Sequence, residues 1–117
     1  MGFKFEKLEV WQKALDLSEQ IHELTKGFPL RERSILTGQI QRAADSIVLN
    51  IAEGSTGQTN AEFKQFLSYA QRSAMEVVAC LYLARKRKLL SDNLFQTLYD
   101  NTEKIARMIQ ALRRSLI

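Results

Sequence analysis

Cysteine, histidine, proline and tryptophan each occur once in this sequence of 117 residues, and glycine occurs only five times. With one cysteine, Cys80, and one histidine, His22, a disulfide framework is excluded, as is an intrachain zinc site of the usual Cys/His type. Apolar runs are only a few residues long, too short for any segment to span a bilayer as a helix. The opening Met1-Gly2-Phe3-Lys4-Phe5-Glu6 lacks the apolar core of a signal peptide, so the expected location is the cytoplasm, where Cys80 stays reduced. Strand-like alternation is scarce and β-branched residues do not cluster. A chain this poor in Pro29-type and glycine breakers can be punctuated in only a few places.

What is present is helical spacing. Hydrophobic residues make up 45% and charged residues 26%, ordinary values for one globular domain, here expected to cover residues 1–117. Leu8, Trp11, Ala14, Leu17, Ile21, Leu24 and Phe28 step by threes and fours and predict a helix over about 8–26. Gly27 stands where a left-handed terminating residue is expected, with Pro29 just beyond. Leu36, Ile40, Ala43, Ile47 and Ile51 predict a second helix over 31–53, with Gly54 as its terminator and Gly38 inside it.

Thr59-Asn60-Ala61-Glu62 has capping-box spacing. It opens a third helix over 60–88 whose stripe runs Phe63, Phe66, Leu67, Ala70, Ala74, Val77, Leu81, Ala84. Ser91 is a candidate N-cap for a fourth helix over 92–116, with Leu94, Leu98, Ile105, Ile109 and Leu112 on its apolar face. Four amphipathic helices with short connections predict an all-α, antiparallel up-down-up-down bundle. The alternation of Phe3 and Phe5 with charges in residues 2–7 suggests a short extended arm packing on a neighbour.

Function has to sit on the remaining faces. Gln39, Arg42, Ser46, Asn50 and Glu53 form one polar stripe on the second helix. It is either a solvated face or a polar seam at a helix or subunit contact, with Arg42 reaching Glu76 on the third helix. Arg85-Lys86-Arg87-Lys88 places four cations in about one turn. Arg107, Arg113 and Arg114 add more on the fourth helix, and Arg31 and Arg33 sit at the start of the second. Phosphate neutralisation supplies most non-specific nucleic-acid affinity, but a net charge of +4 is modest for one copy. Several copies in a ring would multiply it. Gly54-Ser55-Thr56-Gly57 could cradle an anion before a helix, although it lacks the Gly-Lys-Ser/Thr ending of a phosphate loop; a plain interhelical loop is the simpler reading. No nucleophile–base pair, metal set, cofactor motif or carboxylate-rich core is legible, and Cys80 reads as a small buried hydrophobe.

Several separate words then carry a resemblance. Phe5-Glu6-Lys7-Leu8-Glu9-Val10-Trp11-Gln12-Lys13-Ala14 opens it, followed by Thr25, Phe28-Pro29 and Glu32. The most specific stretch is Gln39-Ile40-Gln41-Arg42-Ala43-Ala44-Asp45-Ser46-Ile47, then Asn50-Ile51-Ala52-Glu53-Gly54. Phe63, Phe66-Leu67, Ala70 and Ser73-Ala74-x-Glu76 complete it. From Phe5 to about Leu90 the chain resembles the 23S rRNA intervening-sequence protein family of bacterial four-helix bundles. The resemblance implies a bundle that forms a symmetric homo-oligomer, a pentameric ring. It also implies kinship with the accessory proteins of diversity-generating retroelements, which are similar to basic barrels that bind nucleic acid and a reverse transcriptase. No catalytic activity comes with it.

The sequence departs from the family pattern at four places. Gln41 stands where a second Arg is frequent, Ser34 replaces an aromatic, Gln58 replaces a basic residue, and Val48-Leu49 replaces Pro-Ser. The missing cations weaken the nucleic-acid case, and the loss of proline leaves the second helix less interrupted.

Three functional readings follow. The first is a non-enzymatic homo-oligomer that binds RNA or DNA through a composite basic surface of Arg85, Lys86, Arg87, Lys88, Arg107, Arg113 and Arg114. The second is a scaffold for an unknown protein partner, and the third, least supported by the residues, is an enzyme. No membrane partner is expected.

Overall fold

The computed structural model describes residues 2–117; the side chains of Arg33 and Ser34 lie outside the described residues, as do the expectations placed on them. Four helices form: α1 (Glu9–Thr25), α2 (Gly38–Ser55), α3 (Asn60–Lys86) and α4 (Asp92–Ser115). Each follows the stripe read from the sequence. The fully buried side chains include Leu17, Ile21, Ile40, Ile47, Ile51, Leu67, Val77, Leu81, Leu98, Ile105 and Ile109. Burying one such Leu or Ile contributes about 1.5–3 kcal/mol, and together they form one continuous core between the helices.

Cross-helix bonds fix the direction of each pair. Ser18 of α1 meets Asp45 of α2, while Thr25 meets Gln41. Ser46 meets Ser73, while Gln39 meets Glu76. Ser68 meets Arg113 across α3 and α4, and Gln20 meets Asn101 across α1 and α4. In each case residues that come later in one helix face residues that come earlier in the next. The bundle is therefore antiparallel throughout, as expected. Its long axis measures 43 Å, close to the roughly 40 Å that the 27 residues of α3 span at 1.5 Å each.

The caps are mostly those that the sequence predicts. Thr59 Oγ1 accepts the Glu62 N–H at 3.1 Å, and Ser91 Oγ accepts the Leu94 N–H at 3.1 Å. Glu62 reaches back to the Gln58 N–H, one residue earlier than a reciprocal box would place it. The end of α3 is less ordinary. The Lys88 N–H bonds to the Arg85 carbonyl and the Leu89 N–H to the Ala84 carbonyl, the paired bonds of a Schellman stop. Its left-handed residue is Lys88, with φ of 60°, where glycine is the usual choice.

Four expectations change. The stretch expected to begin the second helix is a 3-10 turn over Leu30–Glu32 followed by a π turn over Arg33–Thr37. The Glu32 N–H bonds to the Pro29 carbonyl there, so the proline sets a tight turn before the wide one. Gly27 does not take a left-handed conformation. α1 instead ends through short bonds from the Gly27 N–H to the Leu24 carbonyl and from the Phe28 N–H to the Thr25 carbonyl, with Phe28 buried in the core.

Gly54 does not terminate α2 but lies inside its last turn, buried against α3. An added Cβ would come within 2.6 Å of Phe66 Cβ. The opening segment is not an extended arm. Lys4–Lys7 forms a 3-10 turn, and the Phe5 ring packs edge-on against Trp11 at 4.8 Å. α2 does run without interruption through Val48 and Leu49, as the absence of proline predicts.

Candidate nucleic-acid interface

The cations named from the sequence fall on α3, α4 and the turn between them. Arg85 lies in the last turn of α3, where a cation suits the helix dipole. Its guanidinium sits 3.8 Å above the centroid of Phe95 and 5.2 Å from that of Tyr82. Phe95 is the fourth residue of α4, so this stack ties the two helices together. Arg87 Nη1 pairs with Glu32 Oε1 at 3.0 Å, linking the α3–α4 turn to the α1–α2 connection. Lys86 and Lys88 are exposed, and among the described residues neither has a carboxylate within 4.0 Å.

The α4 cations lie farther along. Arg107 makes a long, exposed i,i+4 pair with Glu103 at 4.0 Å. Arg113 Nε donates to Ser68 Oγ at 3.0 Å, and Arg114 is exposed. Ser68 and Arg85 are separated by about 26 Å along α3. One chain thus gathers Arg85, Lys86, Arg87 and Lys88 at one end and carries Arg113 and Arg114 towards the other, with Arg107 between. It does not bring the two groups together. Arg31 is exposed in the connection before α2.

Two residues of the polar stripe, Gln39 and Ser46, join α2 to α3, and Asn50 bonds to Ser46 within α2. Ser73 Oγ donates to Ser46 Oγ at 2.8 Å, Asn50 Nδ2 donates to Ser46 Oγ at 2.9 Å, and Gln39 Nε2 donates to Glu76 Oε2 at 3.2 Å. Gln39, not Arg42, meets Glu76. Arg42 and Glu53 are exposed, and among the described residues neither is ion-paired. Cys80 is buried on the same side of α3. Burial pushes its thiol up from its ordinary value, and the nearby Glu76 carboxylate adds to the shift.

The anion-cradle reading of residues 54–57 is overturned by the backbone. The Thr56 and Gly57 N–H groups bond to the Glu53 and Gly54 carbonyls, and the Gln58 N–H is taken by Glu62.

One cluster was not visible in the sequence. Asp45 Oδ1 accepts from Ser18 Oγ at 2.5 Å, and His22 Nε2 lies 3.2 Å from the same oxygen. Both the hydroxyl and the imidazole address the carboxylate, and neither addresses the other, so a nucleophile–base relay is not assembled. The signal available was Ser18 and His22 at i,i+4 on α1, one turn apart and facing α2. Between α1 and α4 the packing leaves two open hollows. One, of about 190 Å³, is lined by Lys13, Asp16, Gln20, Asn101 and Lys104; the other, more apolar, is lined by Leu24, Leu94 and Leu98. Among the described residues no three His, Cys, Asp or Glu side chains converge as metal ligands, and no helix is long and apolar enough to cross a membrane.

Comparison with known proteins fits this architecture. A solved structure of a protein with unknown function from the S23 ribosomal protein family of Bacteroides thetaiotaomicron superposes with a TM-score of 0.82. The two chains are 24% identical, and the match covers 89% of this chain and 97% of that one, a likeness of fold. No curated protein matches. The family model described as 23S rRNA-intervening sequence protein matches residues 6–111, nearly the whole bundle. This chain belongs to that family.

Proposed function

We propose that this protein acts without catalysis, as a homo-oligomeric helical bundle that holds RNA or DNA through a composite basic surface. The observation that carries the reading is that five of the seven cations named on α3, α4 and the turn between them are not ion-paired among the described residues. Arg85, Lys86, Lys88, Arg113 and Arg114 have no carboxylate within 4.0 Å among the described residues. Cations kept free in this way are available to phosphates, and displacing counterions from the nucleic acid supplies the affinity. Because one copy separates its cations into two groups, a continuous track needs neighbouring copies.

An apolar patch supports assembly. Leu49 is 66% exposed and borders a hollow with Phe5 and Ala52, while the exposed Phe3 ring stacks on Phe5 beside it. A patch of this kind on a small soluble surface is a contact for another molecule, and a second copy is the partner proposed here. A pentameric ring is the closed form that the family resemblance implies.

The test is solution mass by light scattering, followed by titration of labelled RNA and duplex DNA at about 50 and 200 mM salt. The expected result is an oligomer whose affinity falls steeply with salt, with a slope that shrinks in a Lys86→Glu/Lys88→Glu variant. An oligomer that ignores both nucleic acids refutes the binding half. A monomer refutes the assembly half and favours a foreign protein partner on the Leu49 patch.

A further inference from the structure

We infer that the nucleic acid held at the α3–α4 end is single-stranded, with an unstacked base resting on Tyr82. The inference rests on the nucleic-acid reading above and narrows its substrate class. Tyr82 lies near the C-terminal end of α3, one turn before Lys86, and is 48% exposed. Its ring is nonetheless held in place. Phe95 meets it edge-to-face at 5.0 Å and Tyr99 at 6.3 Å, and the Arg85 guanidinium lies over one of its faces, 5.2 Å from the centroid, so a base has to use the opposite face. An exposed aromatic ring pinned by two others loses little freedom when a base stacks on it, so the contact is organised before binding.

The charge around the ring matches such a ligand. Tyr82, Arg85, Lys86, Lys88 and Asp92 line a single open hollow. Three cations against one carboxylate leave that hollow positive, beside the one exposed aromatic in it. Interleaved rings and cations are what a single strand needs, since its bases present their faces and its phosphates run alongside.

A duplex gains nothing from Tyr82, because its base faces are already stacked on one another. It also needs phosphate contacts spread along its length, and this end offers its cations within about one helical turn. The chemistry recognised is an unstacked nucleobase next to a phosphate, which single-stranded RNA and single-stranded DNA both supply.

The experiment is fluorescence anisotropy with 12-nucleotide RNA and DNA single strands and a 12-base-pair duplex, at one fixed salt concentration. The proteins are the full chain, Tyr82→Phe, Tyr82→Ala and Lys86→Ala/Lys88→Ala, each checked for folding by circular dichroism. Tyr82→Ala is expected to weaken single-strand binding about five- to a hundredfold, in line with one lost stacking contact, and to leave duplex binding unchanged. Tyr82→Phe keeps the ring and should stay within about twofold of the parent. The lysine pair should weaken all three ligands. A larger loss for RNA than for DNA, or the reverse, tells which strand the site takes. If single strands bind and Tyr82→Ala binds them as well as the parent does, this inference is overturned while the nucleic-acid reading stands. If no ligand binds, both fall.

Discussion

Replacing Gly54 by alanine sets two opposed effects against each other at one atom. In a helix interior alanine is favoured over glycine by about 1 kcal/mol, so propensity alone predicts a more stable protein. Here the added methyl would meet Phe66 Cβ at 2.6 Å and Phe63 Cδ1 at 3.1 Å. Carbon atoms rest at about 3.5–4.0 Å, so the first contact is short by about 1 Å. Phe66 Cβ is fixed to the α3 backbone and cannot swing aside, so α2 and α3 have to separate. Overpacking of this kind costs about 1–3 kcal/mol, and the separation also loosens the Ser46–Ser73 and Gln39–Glu76 bonds on the same seam.

The net expectation is a loss of about 1–2 kcal/mol. At about 2.1 cal/mol/K per residue, the unfolding entropy of 117 residues is about 0.25 kcal/mol/K, so Tm falls by roughly 4–8 °C. Gly27→Ala is the internal control. The Gly27 backbone is not left-handed and its added methyl meets only the Leu24 carbonyl at 3.7 Å, so that variant should be neutral or gain up to about 1 kcal/mol. Thermal unfolding followed by circular dichroism reads both. If Gly54→Ala melts at or above the parent temperature, the close approach of the two helices is refuted.

Two further outcomes follow from the α3 stop and the buried thiol. Lys88→Gly relieves a left-handed conformation that costs an L-residue about 1–2 kcal/mol and gives back part of that as chain entropy, so it should gain about 0.5–1 kcal/mol over Lys88→Ala; equal melting temperatures for the two would contradict the assigned backbone. Cys80 holds its proton more tightly folded than unfolded, so its stabilising contribution is complete below the ordinary thiol value near 8.5 and is lost as pH rises through the higher native value. A Cys80→Ala variant should therefore keep more of its stability at alkaline pH, and an aromatic disulfide reagent at pH 8 should label the native thiol about a hundredfold or more slowly than the unfolded one.

The helices were legible because each carries its apolar residues over many turns, and the family words crossed three of them. Residues 30–37 were not. Over one or two turns, 3-10, α and π coils place Leu36 on the same side, so a five-residue stripe cannot tell their windings apart. Gly54 shows a second limit. One glycine serves equally as a helix stop or as a place where another helix comes close, and only the position of Phe66 decides. The same holds for the seam: the polar line on α2 was readable, but whether Gln39 or Arg42 faces Glu76 depends on a register shift of less than one turn. Ser18 and His22 share α1, but Asp45 lies on α2 more than twenty residues away, and nothing local links it to them.

The two hollows between α1 and α4 bear on the order in which the protein takes shape. Three of the four helix contacts join successive helices, α2–α3 and α3–α4 through short connections and α1–α2 through residues 26–37, so each can close soon after its members coil. The fourth alone has to bring together distant parts of the chain: Gln20 and Asn101 are 81 residues apart. Its packing is also the loosest, which gives least reward for that search. The contact between α1 and α4 is therefore expected to close last. In the finished protein the same contact is expected to be the first to open, uncovering the Leu98 and Ile105 side of α4 to solvent while the α2–α3 pair stays shut.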